Sequence, residues 1–468
     1  MRQWMVAAKK ADFYVIAEKF HVDPVVARII RNREVIGEKN IRIYLGGNLS
    51  DLSDPHQMKD MDRLVEILAQ KIRKQVHIRI IGDYDVDGVT SSHLFLTALR
   101  RVGAKVDVVI PHRIQDGYGL SLHLLQQAKE DGVDTILTCD NGIAAIDEIA
   151  WAKAQKMTVL VTDHHAVPFE EHEGRRTEKK SLADAVVNPH QQDCGYPYKE
   201  LCGAGVAWNV IRVLYENYDM DKREAEDLLD FVAMATVCDV MSLTGENRIL
   251  VKEGLKRIRH TKNIGLQALM QACNVQPENI SAYHFGYVLG PCVNATGRLD
   301  TARHALRLFE TGQETEAEEI ARDLVDLNQE RKELTLQGVE MAKKLCEEGG
   351  YENDPVLVLF LPDVHESIAG LIAGRIREMY NRPVFVLTRG EEGVKGSGRS
   401  TENYSMYENM CGCAELFTKF GGHPMAAGLS LPEENVEKFR RKINENCPLT
   451  VEEVCPDIHL DMAMPVGY

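Results

Sequence analysis

Residues 76–88, VHIRIIGDYDVDG, join an apolar run directly to three aspartates, and this stretch decides how the fold is interpreted. If the segment after the run is extended, Asp83, Asp85 and Asp87 point to the same side, because side chains at alternate positions share a face. Three like charges on one side repel one another, so either water at an exposed turn or bound cations must offset the repulsion. Acidic turns with glycine are common, so the stretch alone leaves both interpretations open.

Short β-rich runs alternate with helical stretches from about residue 76 to 190. The predicted strands are 76–81, 105–110, 134–138, 157–162 and a fifth at 183–188, and the predicted helices between them are 91–103, 121–132 and 144–155. Helices of this length between strands imply right-handed βαβ units and a parallel sheet. The sequence therefore predicts an α/β domain with a parallel sheet.

Acids and imidazoles follow three of the first four predicted strands. The first strand precedes the three aspartates, the third precedes Asp140, and the fourth precedes residues 163–165, Asp-His-His. Ligands of open parallel sheets bind at the carboxyl ends of the strands, so this regularity favours cations over a solvated turn. Hard divalent cations prefer carboxylates, and manganese also accepts imidazole. The candidate metal ligands are Asp85, Asp87, Asp140, His164 and Asp239, which follows a predicted apolar helix.

Composition narrows the class of protein. The chain has 468 residues, which suggests two or three domains, and no apolar run approaches the roughly 18 residues of a membrane span. Charges interrupt the N-terminal region too early for a signal peptide. The 11 cysteines are scattered and odd in number, which is typical of reduced thiols in a cytoplasm. A net charge of −16 argues against a generally basic nucleic-acid-binding surface.

The second half of the chain predicts a long helix and a further α/β domain. Residues 203–345 are mostly helical, and 314–348 is expected to form one helix that connects two domains. A second strand–helix–strand pattern then covers 355–362, 367–380 and 382–388. Residues 393–400 and 421–428 are predicted to be glycine-rich loops, which can bring backbone N–H groups to a phosphate but are equally typical of ordinary turns.

Six motifs in order resemble a known family. "GDYDVDGVTS", "CDNG", "VTDHH", "ATVCDV", "NATGR" and "KGSGRS…GGHPMAAG" are similar to motifs of the DHH phosphoesterase superfamily with its DHHA1 second domain, and most similar to the RecJ family of exonucleases. The resemblance extends from about residue 28 to about 445. It implies two α/β domains, a parallel-sheet DHH domain and a smaller DHHA1 domain, joined by a long helix. The expected boundaries are 1–70 for a helical lead-in, 71–310 for DHH, 311–348 for the helix, 349–450 for DHHA1, and 451–468 for the start of a further region.

The resemblance also implies roles for individual residues. Asp85 and Asp87 would each serve one metal, Asp140 would bridge two metals, and His164 and Asp239 would complete the pair. His165 would act at the scissile phosphate, and Asp83 would orient ligands or water; both are expected to be catalytic. The expected substrate contacts are Asn294, Arg298, Arg303, Ser397, Arg399, Gly421, Gly422 and His423, of which Ser397 and Arg399 would bind a 5′-terminal phosphate.

The implied activity is that of a single-stranded-DNA-specific 5′→3′ exonuclease that releases 5′-mononucleotides with two divalent cations, Mn²⁺ or Mg²⁺. It would act in DNA repair and recombination, as a cytoplasmic monomer without membrane contact. The expected partners are single-stranded DNA with a 5′-phosphate end, and a single-strand-binding protein or helicase. The sequence departs from the family at residues 364–367, Val-His-Glu-Ser instead of Trp-His-Glu-Gly, and at Lys332. It is also expected to lack the OB-fold that usually follows.

Other functions remain open at this point. An oligonucleotide or cyclic-dinucleotide phosphodiesterase of the same superfamily would share the metal ligands. A two-metal inorganic pyrophosphatase would lack the "GGHPMAAG" motif, and a catalytically dead replication scaffold would have lost ligands, whereas none is lost here. Two of the assigned residues also have purely structural alternatives, because His165 could pack beside a ligand and Asn294 could cap a turn.

Overall fold

The computed structural model describes residues 3–113, 116–117, 119–172, 175–351, 354–390, 393–450, 457–464 and 467–468. The strands are β1 (Gln3–Val6), β2 (Ile78–Ile81), β3 (Val106–Val109), β4 (Thr135–Cys139), β5 (Thr158–Thr162), β6 (Phe169–His172), β7 (Arg175–Glu178), β8 (Ala185–Val187), β9 (Leu357–Phe360), β10 (Val384–Gly390), β11 (Gly393–Arg399), β12 (Lys419–His423), β13 (Ala426–Leu431) and β14 (Asp457–Leu460).

The helices are α1 (Phe13–Phe20), α2 (Pro24–Asn32), α3 (Glu38–Gly46), α4 (Met61–Arg73), α5 (Val86–Arg101), α6 (Leu122–Glu130), α7 (Ile146–Ala154), α8 (Gly203–Asn217), α9 (Lys222–Glu226), α10 (Leu229–Cys238), α11 (Gly245–Arg257), α12 (Ile264–Ala272), α13 (Ala282–His284), α14 (Gly290–Leu299), α15 (Ala302–Glu310), α16 (Glu314–Glu348), α17 (Ala369–Tyr380), α18 (Met406–Cys411) and α19 (Val436–Glu445). A π-helical turn, Phe285–Leu289, joins α13 to α14.

The chain forms two compact units. The parallel-sheet unit comprises Val35–Asn328, and the mixed-sheet unit comprises Met1–Glu34 together with Gln329–Tyr468. The division falls inside α16, whose extent confirms the single long helix predicted for 314–348. The domain boundaries expected at residues 70, 310 and 348 stay predictions, and the expected segment 451–468 lies partly outside the described residues.

The parallel-sheet unit contains the five-stranded sheet that the alternating pattern predicts. Its strand order is β3-β2-β4-β5-β8, with every neighbouring pair parallel. The strands are apolar because helices cover both faces of such a sheet; Ile78, Ile80 and Ile81 of β2 have no exposed surface. The α/β fold with a parallel sheet is confirmed, and each observed strand begins or ends within two residues of its predicted position.

Helix α5 begins five residues before its predicted start, because Asp85 caps it. The side chain of Asp85 accepts a hydrogen bond from the backbone N–H of Gly88 at 3.0 Å, which satisfies a donor that a helix start leaves unpaired. Asp87 therefore lies in the first helical turn. The extended arrangement expected for the three aspartates is wrong, although all three remain at the carboxyl end of β2.

The mixed-sheet unit corrects a second prediction. Its five-stranded sheet has the order β12-β13-β11-β10-β9, in which only the β9–β10 pair is parallel among the described residues. The glycine-rich loops predicted at 393–400 and 421–428 are wrong, because these segments contain all of β11, the end of β12 and the start of β13. A Cβ at Gly398 would lie 2.7 Å from Phe385 Cε1 and 2.9 Å from Met406 Sδ, so this glycine permits close packing inside a strand.

Two features of the fold have no counterpart in the predictions. Strand β1 pairs in parallel with β14, joining residues 3–6 to residues 457–460. Strands β6 and β7 form a separate antiparallel pair. Among the described residues, no helix is both long and apolar enough to cross a membrane, and all described cysteines are free thiols.

Candidate metal centre and substrate contacts

The candidate metal ligands meet at one edge of the parallel sheet. Strands β2, β4 and β5 are consecutive neighbours, so the segments that follow them lie side by side. Asp83 follows β2, Asp140 follows β4 and His164 follows β5, while Asp239 caps the C-terminal end of α10. The four segments are distant in sequence, and the strand order brings them together.

The imidazole of His164 lies among three carboxylates. Its Nε2 atom is 3.1 Å from Asp140 Oδ1, 3.6 Å from Asp239 Oδ2 and 3.7 Å from Asp87 Oδ2. Among the residues that the structure describes, three sets of side chains have ligand atoms within 4.8 Å of one another: Asp87, His164 and Asp239; Asp140, His164 and His165; and Asp83, Asp85 and Asp140. Asp140 belongs to two of these sets, as a bridging ligand would.

The centre is buried and contains polar atoms that no protein group satisfies. Asp83 is 1% exposed and His164 is 9% exposed. Within the described residues, Asp83 Oδ2 and His164 Nε2 have no hydrogen-bond partner. Such buried atoms are rare in folded proteins, and both are potential metal donors.

The electrostatics of the cluster also fit a cation. Burial, followed by the charges of neighbouring carboxylates, raises the pKa values of Asp83 and Asp140 well above their ordinary range. The same causes raise the pKa of Asp239 to about 8, whereas burial lowers the pKa of His164 and favours the neutral ring. A divalent cation offsets the repulsion among the ionised carboxylates. Carboxylate oxygens with a neutral imidazole are a donor set suited to Mn²⁺ or Mg²⁺.

The N-terminus of α8 holds Asp87 in place. The backbone N–H of Gly203 donates to Asp87 Oδ2 at 2.6 Å, and that of Ala204 donates to Asp87 Oδ1 at 2.7 Å. A Cβ at Gly203 would lie 2.6 Å from Asp140 Cβ, so only glycine permits α8 to begin this close to the centre. The sequence analysis missed this support, although small residues at a helix start, CGAG at 202–205, were a visible signal.

Asp163 was also missed as a functional residue, and it orients His165. Its Oδ1 atom accepts hydrogen bonds from the backbone of His164 at 2.7 Å and from Nδ1 of His165 at 2.8 Å. Burial disfavours the charged imidazole of His165, but the hydrogen bond and charge of Asp163 outweigh it and raise the pKa of His165 to about 9. The motif "VTDHH" contained this residue, but the strand-end argument did not separate it from the ligands.

Helix α14 brings Asn294 and Arg298 to the segment after β2 that carries Asp83, Asp85 and Asp87. The Oδ1 atom of Asn294 accepts a hydrogen bond from the backbone N–H of Val86 at 3.2 Å. The charge of Arg298 acts on the phenol of Tyr84 in the same segment, opposing the burial that raises the Tyr84 pKa to about 12. Arg303 is exposed on α15, and within the described residues no hydrogen bond or ion pair joins it to the cluster.

In the mixed-sheet unit, Ser397 and Arg399 share one face of β11. They occupy alternate positions of the strand, and both approach the first turn of α17. A Cβ at Gly370 would lie 2.9 Å from Arg399 Nη2 and 3.5 Å from Ser397 Oγ. A guanidinium and a hydroxyl therefore lie beside a helix N-terminus, which is an arrangement suited to anions.

The remaining predicted substrate contacts lie two strands away in the same sheet. Ala426 of β13 pairs with both Arg399 and His423, and Gly428 pairs with both Ser397 and Gly421. Residues directly opposite in an antiparallel sheet point to the same face, so the His423 and Arg399 side chains share a face. Gly422 lies one position along, at the alternate register, where its φ is 151°; its expected substrate contact stays a prediction.

Comparisons with known proteins agree with this division of the chain. Residues 77–236 match the family described as "DHH family, N-terminal domain", and residues 353–447 match the DHHA1 domain. The single-stranded-DNA-specific exonuclease RecJ of Haemophilus influenzae is 35% identical over 455 residues, covering 93% of this chain and 76% of that protein. The chain belongs to the RecJ family.

Other RecJ proteins extend the comparison. RecJ of Bacillus subtilis is 33% identical over 455 residues, which covers 96% of this chain and 56% of that protein. The crystal structure of Thermus thermophilus RecJ in complex with Mn²⁺ matches with a TM-score of 0.81 and 28% identity, covering 98% of this chain and 64% of that one. The chain thus spans between about half and three quarters of the length of these RecJ relatives.

A further RecJ structure, "exonuclease RecJ bound to manganese", matches with a TM-score of 0.71 and 32% identity, covering 83% of this chain and 94% of that one. A Thermus thermophilus RecJ structure contains Mg²⁺. The donor set described above suits both ions, so the RecJ comparison and the chemistry of the centre point to the same cofactors.

Proposed function

We propose that this chain is a metal-dependent exonuclease that hydrolyses single-stranded DNA from its 5′ end and releases 5′-mononucleotides, in DNA repair and recombination. The observation that carries the proposal is the buried His164 imidazole, whose Nε2 lies within 3.1–3.7 Å of three carboxylate oxygens. The named activity of relatives at 33–35% identity supports the choice of substrate.

Two divalent cations, Mn²⁺ or Mg²⁺, would be held by Asp85, Asp87, Asp140, His164 and Asp239. Asp83 is close enough to Asp85 and Asp140 to join one of these sites, in addition to the orienting role expected from the sequence. Bound ions of this kind polarise phosphoryl oxygens and lower the pKa of a bound water. The chain itself fixes the donors, through the α8 N–H groups on Asp87 and through the helix cap made by Asp85.

His165 would stabilise the negative charge that develops on the phosphate. With a pKa of about 9, its imidazole is cationic at neutral pH. Asp163 accepts the Nδ1 proton at 2.8 Å and so fixes the orientation of the ring; the Nε2–H group is the donor that we propose contacts a phosphate oxygen. A fixed, charged donor aimed at developing charge is an effective form of catalysis.

Asn294 and Arg298 would position the phosphate beside the metal centre. The Asn294 carbonyl oxygen is occupied by the Val86 N–H, so its amide NH₂ is the end that can donate to a phosphate oxygen. Arg298 lies one helical turn further along α14 and carries a cationic fork suited to phosphate. Arg303 is assigned only a general attraction for the strand.

The 5′ end would be recognised by the mixed-sheet unit. Arg399, Ser397 and the N-terminal turn of α17 offer charge-assisted and neutral donors close together. A terminal phosphate has more free oxygens and more charge than an internal phosphodiester, so such a site distinguishes an end from the middle of a strand. His423, Gly421 and Gly422 are proposed to contact the adjoining backbone.

An exposed pair of tyrosines supports single-stranded over duplex substrate. Tyr283 and Tyr287 are 62% and 73% exposed, and their rings stack at 5.2 Å with an interplanar angle of 23°. The segment that carries them is held to the end of α10, because the Cys238 thiol, adjacent to Asp239, donates to the Phe285 carbonyl at 3.3 Å. Exposed aromatic faces bind unpaired bases by stacking, and paired bases have no free faces.

The proposal is tested by supplying Mn²⁺ and four substrates separately: a 5′-phosphorylated single strand, the same strand in a duplex, a cyclic dinucleotide and pyrophosphate. We expect mononucleotides from the single strand alone, released from its 5′ end. His164→Ala should abolish the reaction. Asp193→Ala is the matched control, because Asp193 is an exposed acid that pairs with Lys59. Faster consumption of the cyclic dinucleotide or pyrophosphate would overturn the assignment.

A further inference from the structure

The parallel-sheet unit contains a cavity that lies away from the candidate metal centre. It has a volume of about 670 Å³ and is lined by residues of α5, α10, α11, α12 and the end of α15. Helix α5 contributes to both places: Asp87 lies in its first turn, and His93, Arg100 and Arg101 line the cavity. At about 1.5 Å of rise per residue, Arg101 is roughly 21 Å along the helix from Asp87.

One wall of the cavity is aromatic. The His93 ring centroid lies 4.4 Å from that of Phe231 and 5.8 Å from that of Phe309, and the two phenylalanines are 5.0 Å apart. All three residues line the cavity. The three side chains are 5%, 2% and 2% exposed, so this wall offers a ligand a small apolar surface.

His93 also has an unsatisfied polar atom. It is 5% exposed, and its Nδ1 atom has no hydrogen-bond partner within the described part of the chain. Buried polar atoms without a partner are rare, and each one in a native structure calls for an explanation. Packing alone does not explain an imidazole here, because a phenylalanine would fill the same space without the unsatisfied nitrogen.

A buried carboxyl group lies in the same cavity. Asp230 is 3% exposed and accepts hydrogen bonds from Thr261 Oγ1 at 2.6 Å and from the Phe231 N–H at 2.8 Å. Asp230 and His93 together provide polar groups beside an aromatic wall. This combination matches the edge of a nucleobase, which carries donors and acceptors around a flat ring.

More cationic than acidic side chains line the cavity, although the chain as a whole has a net charge of −16. Arg100, Arg101, Lys256, Arg257, Lys262 and His260 line it, together with the acids Asp227, Asp230, Glu253 and Glu310. The cations with the longest ion pairs are Arg100, 3.6 Å from Glu310, and Lys262, 3.5 Å from Asp227. Their side chains are 55% and 88% exposed, so both can turn towards an anion at little cost.

We propose that this cavity is a second ligand site, which binds a nucleoside phosphate. The base would lie against the wall formed by His93, Phe231 and Phe309, and its polar edge would meet His93 and Asp230. The phosphate would lie at the mouth between Arg100 and Lys262. A volume of this size falls within the range of about 300–1,000 Å³ that is typical of small-molecule sites. The proposal does not depend on the exonuclease assignment, because it uses none of the metal ligands.

The test is equilibrium binding of nucleotides to the full chain by calorimetry, in EDTA so that no cation occupies the metal centre. The probes are the four deoxynucleoside 5′-monophosphates and ATP, with ribose 5-phosphate, adenosine and inorganic phosphate as partial ligands. We expect saturable binding of one equivalent of at least one nucleotide, and at least tenfold weaker binding of every partial ligand. Inorganic phosphate binding as tightly as the nucleotides would overturn the nucleotide assignment.

Four variants locate the site. Lys262→Glu is a surface change that should leave the fold intact and weaken nucleotide binding at least fivefold, and Lys74→Glu, an exposed lysine outside the cavity, should not. His93→Phe keeps the shape of the ring and should weaken nucleotide binding while sparing thermal stability. Asp140→Asn should bind nucleotide normally. The proposal is wrong if Asp140→Asn abolishes binding, if Lys262→Glu binds like the unaltered chain, or if no nucleotide binds at millimolar concentration.

Discussion

The two units bring polar side chains together in different ways. In the parallel-sheet unit, the candidate ligands follow the strands, and the neighbouring order of β2, β4 and β5 collects them at one edge. In the mixed-sheet unit, Ser397, Arg399 and His423 lie within strands and are collected on one face by antiparallel register. An edge produces a buried, charge-dense centre, whereas a face produces a shallow and more exposed surface. The first arrangement suits chemistry and the second suits recognition.

The largest effect is expected at the edge, from Asp140→Asn. Asp140 has a φ of 61°, a left-handed conformation that asparagine tolerates better than alanine does. The substitution removes the charge shared by two groups of ligands, and a loss of about 4 kcal/mol of transition-state stabilisation corresponds to about 10³-fold in rate. Single-turnover hydrolysis of a 5′-phosphorylated strand measures this.

Because burial already raises the Asp140 pKa, the variant should be at least as stable as the unaltered chain in EDTA. Near-normal hydrolysis by a folded Asp140→Asn protein would show that chemistry does not occur at this edge.

A smaller and more selective effect is expected on the face, from Arg399→Ala. Hydrogen bonds to charged groups contribute about 1.5–3 kcal/mol each, so hydrolysis of 5′-phosphorylated strands should slow by roughly 10–100-fold. Strands with a 5′-hydroxyl should lose much less, because they lack the terminal charge. The ratio of kcat/KM for the two substrates is the measurement.

Arg389→Ala is the matched control for that experiment. Arg389 lies on the adjacent strand β10 and pairs with Glu433 at the surface, so its loss should leave the ratio unchanged. An equal loss on both substrates in Arg399→Ala would assign Arg399 to general attraction or to folding.

The next prediction asks whether the parallel-sheet unit, besides holding the metal centre, also binds the bases of the substrate. Replacing both Tyr283 and Tyr287 by alanine should raise KM for single strands at least about 5-fold, since stacking contributes about 1–3 kcal/mol per base. The value of kcat should be unchanged, because neither tyrosine is a metal ligand. Tyr407→Ala, at a 44% exposed tyrosine of the other unit, controls for loss of a surface ring. A fall in kcat without a change in KM would contradict a stacking role.

The smallest effect concerns stability. Mn²⁺ at about 100 times its dissociation constant should stabilise the folded state by about 2.7 kcal/mol. This corresponds to a rise in Tm of roughly 4 °C for the parallel-sheet unit. Differential scanning calorimetry should show the shift in a transition that Asp140→Asn no longer shifts, while Arg399→Ala responds normally. A shift of equal size in Asp140→Asn would place the bound metal elsewhere.

Local sequence patterns predicted the strands and helices of the parallel sheet and the position of the candidate ligands, because both depend on residues close together in sequence. The alternation of strands and helices predicted the parallel sheet, and the acids after β2, β4 and β5 indicated where ligands would meet. The support of Asp87 by Gly203 and Ala204 was missed because it joins residues more than a hundred positions apart, and no local pattern reports such a contact. The glycines of β11 were misassigned to a loop because turn and close packing both favour glycine, and only the neighbouring Phe385 and Met406 distinguish the two.

The pairing of β1 with β14 has a consequence for synthesis of the protein. Residues 3–6 are synthesised more than 450 residues before their partners at 457–460. At about 5–20 residues per second, this strand waits roughly 20–90 s for its neighbour. The parallel-sheet unit, contiguous from Val35 to Asn328, can fold during that interval. We therefore expect the nascent chain to resist protease in this region first, with residues 3–6 still open to cleavage until residues 457–460 have been added.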